Sequence, residues 1–154
     1  MVKLDDIDKA LLKLLQLNSK TNVKVLSSAL KLTKTPIYDR IKRLEKEGVI
    51  ERYVAVLNQD ITQHAMTVYC SVSLENQKLE KLEMFSQAVK NIPEVIECYL
   101  MGGANDFLLK VVVKDLQAYH QFSSGHLAAL PNVSQIKSTF VLNEVKRSTV
   151  VPIY

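Results

Sequence analysis

Apolar residues in the first third of the chain recur at the three- and four-residue spacing that is typical of amphipathic helices. Ile7, Leu11 and Leu15 predict a first helix, and aspartates crowd its start, where the helix dipole favours negative charge. Asn22 is placed to cap a second helix that ends near Lys31. The same pattern then begins again, which predicts a third helix.

The third helix is predicted over residues 34–47, with the Thr33 hydroxyl as its N-terminal cap and Gly48 as its stop. Its apolar side has three members spaced by four and three residues: Ile37, Ile41 and Leu44. Pro36 is acceptable in the first turn because the amide that it lacks has no helical partner there. The opposite side of this helix is polar and faces solvent.

Two helices joined by a short turn, preceded by a packing helix and followed by a β element, place a recognition helix in the DNA major groove. Residues 23–47 fit the two helices and their turn, and residues 49–60 fit a wing and linker strand. The sequence therefore predicts a winged helix-turn-helix DNA-binding domain over residues 1–60.

Residues 61–154 alternate between apolar runs and helical stretches in the order βαββαβ, which is the ferredoxin-like split. Gly102 and Gly103 separate the two middle strands, where residues that tolerate positive φ are expected. The last helix is predicted over residues 116–130 and the last strand over residues 133–145. The fold class is thus α+β, and the second domain covers residues 61–154.

Positive charge is concentrated in the first domain. Residues 1–60 hold 12 of the 20 Lys and Arg and 8 of the 16 Asp and Glu. The whole net charge of +4 therefore lies in these residues, and residues 61–154 are neutral. This asymmetry favours a polyanion as the partner of the first domain. The residues predicted to contact DNA lie on the third helix: Lys34, Thr35, Pro36, Tyr38, Asp39, Arg40, Lys42, Arg43 and Lys46.

Two kinds of DNA contact are expected from this set. Base edges are the expected partners of Thr35, Tyr38, Asp39 and Lys42. Phosphates are the expected partners of Lys34, Arg43 and Lys46. Arg40 lies nearer the flank and fits either role. An ordinary solvated helix face also carries Lys and Arg, so the interpretation depends on the three-helix context.

Other functional classes find little support in the sequence. Cys70 and Cys98 lie inside strand-like runs and are expected in the core, and no metal-ligand spacing, nucleophile–base pair or phosphate-binding glycine loop is visible. We therefore expect no metal, no catalytic residue and no enzymatic activity. No apolar run approaches the roughly 20 residues of a membrane span, and the start is acidic, so we expect a cytoplasmic protein without a membrane partner.

Segments throughout the chain resemble the Lrp/AsnC (feast/famine) family of transcription regulators, in order and at the expected separations. In the first domain they are residues 4–12 (LDDIDKALL), 18–20 (NSK), 32–33 (LT) and 40–50 (RIKRLEKEGVI). In the second they are residues 100–109 (LMGGANDFLL), 130–131 (LP) and 144–146 (EVK). The resemblance therefore covers nearly the whole chain.

This resemblance implies a helix-turn-helix that reads operator DNA and a C-terminal domain that pairs strands with a second subunit. It implies homodimers that assemble into tetramers or octamers and bind an amino-acid effector between C-terminal domains. The corresponding effector residues are Gly102, Gly103, Ala104, Asn105, Asp106 and Ser138. Turn amides can hold a carboxylate and an aspartate can hold an ammonium group. Alternatively, the glycines only make a turn and Asp106 bonds its own backbone.

Three positions depart from the family pattern. Val25 stands where many members have Glu, so the second helix lacks a reciprocal capping bond. Lys31 stands where Gly is usual, which implies up to roughly 1 kcal/mol of strain if the turn needs a left-handed residue. Lys20 replaces a common Arg.

The sequence as a whole predicts a DNA-binding regulator whose assembly or operator affinity is biased by a bound amino acid, with no other cofactor. A subunit pair presents two recognition helices, so the operator is expected to be an imperfect palindrome in double-stranded DNA. The alternative is a small-molecule sensor whose helical N-terminus docks to a protein.

Overall fold

A computed structural model describes residues 2–58 and 66–153. Its helices and strands are α1 (Asp6–Leu17), α2 (Val23–Leu30), α3 (Lys34–Lys46), β1 (Met66–Leu74), α4 (Leu79–Val89), β2 (Val95–Leu100), β3 (Phe107–Val113), α5 (Leu116–Phe122), a π-helical turn (Ser123–Leu127) and β4 (Val133–Phe140). Among the described residues, no helix is long and apolar enough to cross a bilayer.

The chain divides into two compact units, and the division differs from the expected one at the C-terminus. The first unit runs to Val56 and also includes the chain from Val145 onward, while the second is Leu57–Glu144. The expected boundary near residue 60 lies partly outside the described residues.

The first unit encloses a small apolar core to which each of its helices contributes. The buried members are Leu11, Leu12 and Leu15 on α1, Leu26 on α2, and Ile37 and Leu44 on α3. The predicted apolar stripe of α3 is confirmed, since Ile37 and Leu44 are fully buried and Ile41 packs against the cluster. Each such side chain contributes roughly 1.5–3 kcal/mol by leaving water, which fixes the face that α3 turns inward.

Gly48 ends α3 as predicted. Its φ is +71°, and the amide of Val49 donates to the Leu44 carbonyl at 2.9 Å while that of Gly48 donates to the Glu45 carbonyl at 3.1 Å. These two bonds form a Schellman motif, in which a residue without Cβ takes the left-handed position.

Lys31 ends α2 in the same way but without the advantage of glycine. Its φ is 53° and its ψ is 41°, and the Leu32 amide donates to the Ser27 carbonyl at 3.0 Å. The condition named for strain is therefore met, since Lys31 is left-handed and an L-residue there carries a steric cost of roughly 1 kcal/mol.

The segment after α3 does not form the expected strands. Residues 51–58 have neither helical nor strand structure, and Val54, Val56 and Leu57 are exposed. A ladder needs a partner strand, and the side chain of Tyr53 instead donates to Glu45 on α3 at 2.7 Å. Burial and this hydrogen bond raise the pKa of Tyr53 to about 12. The segment is therefore tied to α3 by a side chain rather than by backbone pairing.

The second unit is a four-stranded antiparallel sheet in the order β2-β3-β1-β4, which confirms the ferredoxin-like βαββαβ prediction. Every second residue of β1 and β3 is buried, from Val68 to Leu74 and from Phe107 to Val113. Phe85 on α4 and Tyr119 and Phe122 on α5 complete this core. Cys70 lies within it as expected, but Cys98 is exposed because β2 is an edge strand.

Two predicted ends in this unit are wrong. The last helix leaves α-geometry after Phe122, where the Ala128 amide bonds the Ser123 carbonyl five residues back at 2.9 Å. The last strand stops at Phe140 rather than residue 145, and the last pair in its register with β1 is Val68 with Phe140. A strand extends only as far as a neighbour accepts its hydrogen bonds.

The chain from Val145 onward packs within the first unit although it follows the last strand of the second. The Gln16 amide nitrogen donates to the Val151 carbonyl at 3.2 Å, and the Val151 amide donates to the Gln16 side-chain oxygen at 2.7 Å. Ile153 packs against the first core. This tail explains why the domain division differs from a single cut near residue 60.

Replacing Lys31 with glycine is expected to raise the free energy of unfolding by up to about 1 kcal/mol, because glycine adopts a positive φ without a Cβ clash. Denaturant titration followed by circular dichroism measures the change. Ser28→Gly is the matched control inside α2 and should lower the free energy of unfolding by about 0.5 kcal/mol. A loss of stability in Lys31→Gly contradicts the assignment of strain.

Candidate DNA-binding surface and effector turn

A polar stripe runs along the exposed side of α3. Its members follow one another at helical spacing on the side away from the core: Thr35, Tyr38, Asp39, Lys42 and Lys46. All five are exposed, as are Lys34 and Pro36 in the first turn. The stripe thus offers hydroxyl, carboxylate and ammonium groups on one accessible surface, which is the mixture that base edges and phosphates require.

Tyr38 and Lys42 act as a pair within this stripe. The Lys42 ammonium lies 4.6 Å from the centre of the Tyr38 ring, within the range of a cation–π contact. Hydrogen bonding to Tyr38 raises the pKa of Lys42, so the lysine keeps its charge. The pair thus places an aromatic ring and a positive charge side by side in the middle of the stripe.

The start of α3 lacks one expected feature. Thr33 occupies the cap position in extended backbone, but its hydroxyl makes no capping hydrogen bond. Asn22, by contrast, caps α2 as predicted, with its side chain accepting from the Lys24 amide at 2.8 Å.

Arg40 and Arg43, which the sequence places among the DNA contacts, both form ion pairs. The Arg40 guanidinium contacts Asp5 at 2.7 Å and Asp8 at 2.6 Å, and the Arg43 guanidinium contacts Asp8 at 2.5 Å. Arg43 also lies 3.9 Å from Glu47. Both guanidinium groups are therefore paired with carboxylates of the first unit rather than free in solvent.

The carboxylates that receive these arginines also cap α1. The Asp8 amide donates to Asp5 at 2.7 Å and the Asp5 amide donates to Asp8 at 3.2 Å, a reciprocal capping box. The backbone bond from Asp8 and then the Arg40 guanidinium lower the pKa of Asp5. Asp5 and then Asp8 raise the pKa of Arg40. We name these four residues the α1–α3 ion network: Asp5, Asp8, Arg40 and Arg43.

The sequence carried a signal for this network. It was missed because the aspartates at the start of α1 were assigned only to the helix dipole. Asp5 and Asp8 are one turn apart on α1, and Arg40 and Arg43 are one turn apart on α3. Two acidic groups and two basic groups at equal spacing on packed helices match as facing pairs. Periodicity alone placed Arg40 at the edge of the polar side, where a long side chain reaches either solvent or the neighbouring helix.

The predicted effector turn links β2 and β3. Gly102, Gly103 and Ala104 are exposed, while Asn105 and Asp106 are half-buried. Neither glycine has a positive φ, so the expected reason for their presence is wrong; among the described residues Gly48 is the one glycine with that conformation. An added Cβ at either position would meet no atom within 4 Å. The turn is open rather than tight.

Asp106 is anchored to the end of β1. Its Oδ2 accepts from the Leu74 amide at 2.7 Å and from the Gln77 amide group at 3.4 Å. Its own amide donates to the Val72 carbonyl at 3.0 Å, and its carbonyl accepts from Met101 at 2.8 Å. The alternative in which Asp106 bonds its own backbone is wrong, because the carboxylate accepts from the Leu74 amide at the end of β1.

The described contacts of Ser138 are with α5 and β1 and not with this turn. It pairs with Cys70 in the β1–β4 register, and its hydroxyl hydrogen bonds with that of Tyr119 on α5. The Cys70 sulfur lies 3.3 Å from the same tyrosine oxygen, and burial raises the pKa of both Cys70 and Tyr119. Tyr119 is thus a partner of Ser138 that sequence reasoning did not identify.

A three-helix unit with an exposed polar stripe, followed by a separate βαββαβ unit, defines a helix-turn-helix regulator that carries a second domain for another task. A family model for winged helix-turn-helix DNA-binding matches residues 4–51, and one for the Lrp/AsnC ligand binding domain matches residues 67–151. The chain belongs to the Lrp/AsnC family of transcription regulators, which confirms the resemblance read from its sequence. Its domains are those of regulators rather than enzymes.

Relatives of known name agree along the full chain. A Bkd operon transcriptional regulator of Pseudomonas aeruginosa is 37% identical over 153 residues, covering 99% of this chain and 100% of the relative. A leucine-responsive regulatory protein of Escherichia coli is 34% identical over 145 residues, covering 94% and 88%.

Solved structures agree as well. A transcriptional regulator of Neisseria meningitidis in complex with L-Met superimposes with a TM-score of 0.92 at 30% identity, covering 97% of each chain. An AsnC family regulator of Agrobacterium tumefaciens gives 0.91 at 35% identity with the same coverage.

Asp5 is expected to link the stability of the first unit to pH. Its lowered pKa means that folding stabilises the charged form, a contribution that is present above the usual aspartate pKa of about 3.9 and is lost as pH falls through the folded value. The difference in unfolding free energy between wild type and Asp5→Asn should therefore be largest near neutral pH and shrink in acid. Asparagine preserves the cap.

Urea titrations at a series of pH values measure this difference. Asp6→Asn is the matched control, because Asp6 is an exposed neighbour on the same turn. An Asp5→Asn difference that stays constant from neutral to acid pH contradicts the assigned ion pair.

Proposed function

We propose that this protein binds operator DNA through the polar stripe of α3 and that an amino acid bound at the Gly102–Asp106 turn biases its assembly or operator affinity. The observation that carries the proposal is the exposure of the whole stripe on a helix whose other side is locked into the core. A recognition helix must present its polar side while the packing of its apolar side fixes its direction.

The proposed DNA contacts keep the predicted division with one change. Thr35, Tyr38, Asp39 and Lys42 meet base edges in the major groove. Lys34, Pro36 and Lys46 meet or adjoin the phosphate backbone. Arg40 and Arg43 are removed from the contact set, because their guanidinium groups are occupied by Asp5 and Asp8.

The second unit supports self-association through its edge strands. Its outer strands and the segment after them expose large apolar side chains: Ile96, Leu100, Met101, Phe140 and Leu142. Exposed apolar groups next to unpaired strand edges favour pairing with another copy. We propose a homodimer that assembles further into a tetramer or octamer, so that paired recognition helices read an imperfect palindrome.

The effector proposal uses the open turn and one oxygen of Asp106. The two described hydrogen bonds to the Asp106 carboxylate are both accepted by Oδ2. Oδ1 is the proposed partner of an ammonium group. The exposed amides of Gly102 and Gly103 are proposed to hold the carboxylate of the same amino acid. The L-Met complex of the Neisseria relative and the name of the leucine-responsive relative make an apolar amino acid the first candidate. Ser138 contributes only if the partner of its hydroxyl, Tyr119, gives way.

Substitutions along α3 should separate base reading from phosphate contact. With an operator selected from a random duplex pool, Thr35→Ala should weaken operator binding about tenfold and leave binding to random duplex unchanged. Lys46→Ala should weaken both and reduce the slope of log K against log salt by about 0.9. Gel-shift titrations at several salt concentrations measure both quantities.

Lys13→Ala is the matched control, since Lys13 is an exposed lysine of the same unit that lies on α1. No operator preference by the wild type at moderate salt contradicts the DNA proposal and leaves the protein-docking alternative.

Thermal-shift screening against the twenty amino acids should identify an effector, because a ligand of the folded state raises the melting temperature. Asp106→Asn should abolish that shift while keeping the acceptor for the Leu74 amide; Glu83→Gln, an exposed carboxylate on α4, should not. If the effector acts on assembly, light scattering on the same samples should show a change of particle size. If it acts on DNA binding, gel shifts should show a change of operator affinity. A shift that persists in Asp106→Asn contradicts the assigned turn.

A further inference from the structure

The side chain of Asp8 is 1% exposed and is the only buried charged side chain within the described residues. It receives Arg40 on one oxygen at 2.6 Å and Arg43 on the other at 2.5 Å. Asp5 adds a second carboxylate to Arg40. Two positive and two negative charges are thus balanced within the α1–α3 ion network, and both arginines belong to the proposed recognition helix.

The position of Asp8 is fixed by more than these ion pairs. Its oxygen Oδ2 accepts from the Asp5 amide, and its own amide is bound by the Asp5 side chain. The carboxylate therefore cannot follow a moving arginine, since it belongs to the first turn of α1. The arginines are less confined, with side chains 24% and 42% exposed for Arg40 and Arg43. Without the charge of Asp8, Arg43 loses its buried partner and Arg40 keeps only the half-exposed Asp5, so both long stems can turn toward solvent.

We propose that Asp8 is a specificity-determining residue that acts by position: it withholds the two arginine charges of α3 from the DNA backbone. This inference rests on the proposed DNA-binding function. The lysines of the stripe then supply the phosphate contacts of α3, and the helix keeps its rigid attachment to α1 without a guanidinium directed at every duplex that it meets.

Withholding charge matters because phosphate contacts strengthen binding to all sequences alike. Each contact adds about 0.9 to the salt slope and supplies affinity that carries no sequence information. A regulator must find its operator among a large excess of other sites, so the ratio of specific to non-specific affinity decides its occupancy. Two free arginines on α3 lower that ratio even while they raise affinity.

Asp8→Asn tests the proposal, since asparagine keeps the shape of the capping box and removes the charge. Random-duplex affinity should rise about three- to tenfold at moderate salt, the salt slope should steepen by roughly 1 to 2, and the ratio of operator to random affinity should fall. Asp6→Asn makes the same change in net charge on the same turn and should leave the slope unchanged. Adding Arg43→Gln to Asp8→Asn should return about 0.9 of the added slope, the share of one arginine.

A purely structural role gives a different result, because loosening the unit weakens operator and random binding together without a steeper slope. That outcome overturns the proposal. All variants are compared at a temperature at which circular dichroism shows each to be folded.

Arg43→Gln alone provides the test if Asp8→Asn does not fold. Its salt slope should equal that of the wild type, because a withheld arginine makes no phosphate contact, whereas Lys46→Ala loses about 0.9. A loss of about 0.9 in Arg43→Gln places Arg43 on a phosphate and overturns the proposal. Failure of the proposed function is distinguishable, since the wild type then shows no operator preference at all.

Discussion

A buried carboxylate at the start of α1 fixes the recognition helix of this regulator. Asp8 leaves water completely, and a charge in that position requires partners that are themselves held in place. Arg40 and Arg43 supply them from successive turns of α3. The ion pairs of Asp8 and the packing of Ile37 and Leu44 act on neighbouring sides of α3. Together they define the distance of α3 from α1 and its rotation about its own axis. A buried ion pair adds little net stability over an apolar contact, but removing one of its partners leaves an uncompensated buried charge, which is strongly destabilising.

The second unit uses the same principle with weaker groups. The Asp106 carboxylate is bound to the Leu74 amide, so the turn before β3 is tied to the end of β1. Tyr119 joins α5 to β1 and β4 through the Cys70 sulfur and the Ser138 hydroxyl. Polar groups at the edge of an apolar core thus join its helices and strands by specific hydrogen bonds. In both units a side chain proposed from sequence as a ligand contact also holds two elements of secondary structure together.

Much of this architecture follows from sequence patterns, and the failures have identifiable causes. The three- and four-residue spacing predicted the buried side of α3, because burial of Ile37, Ile41 and Leu44 is a property of one helix. The left-handed turn at Lys31 was predictable because a single backbone conformation decides it. The ends of β4 and the expected wing were not, since a strand exists only where a second segment accepts its hydrogen bonds. Arg40 lies at the edge of the polar stripe, and its side chain turns toward Asp8 on α1. A pattern within one helix does not show which residues of another helix lie beside it.

The path of the chain has a consequence for synthesis. Gln16 and the first core receive Val151 and Ile153, which follow all four strands of the sheet in sequence. Domains commonly fold as they leave the ribosome, N-terminal parts first. Here the helices of the DNA-binding unit emerge early, while a segment that covers α1 emerges after the sheet. The contacts that Val151 and Ile153 make in the first unit therefore form only after the whole sheet of the second unit has been translated.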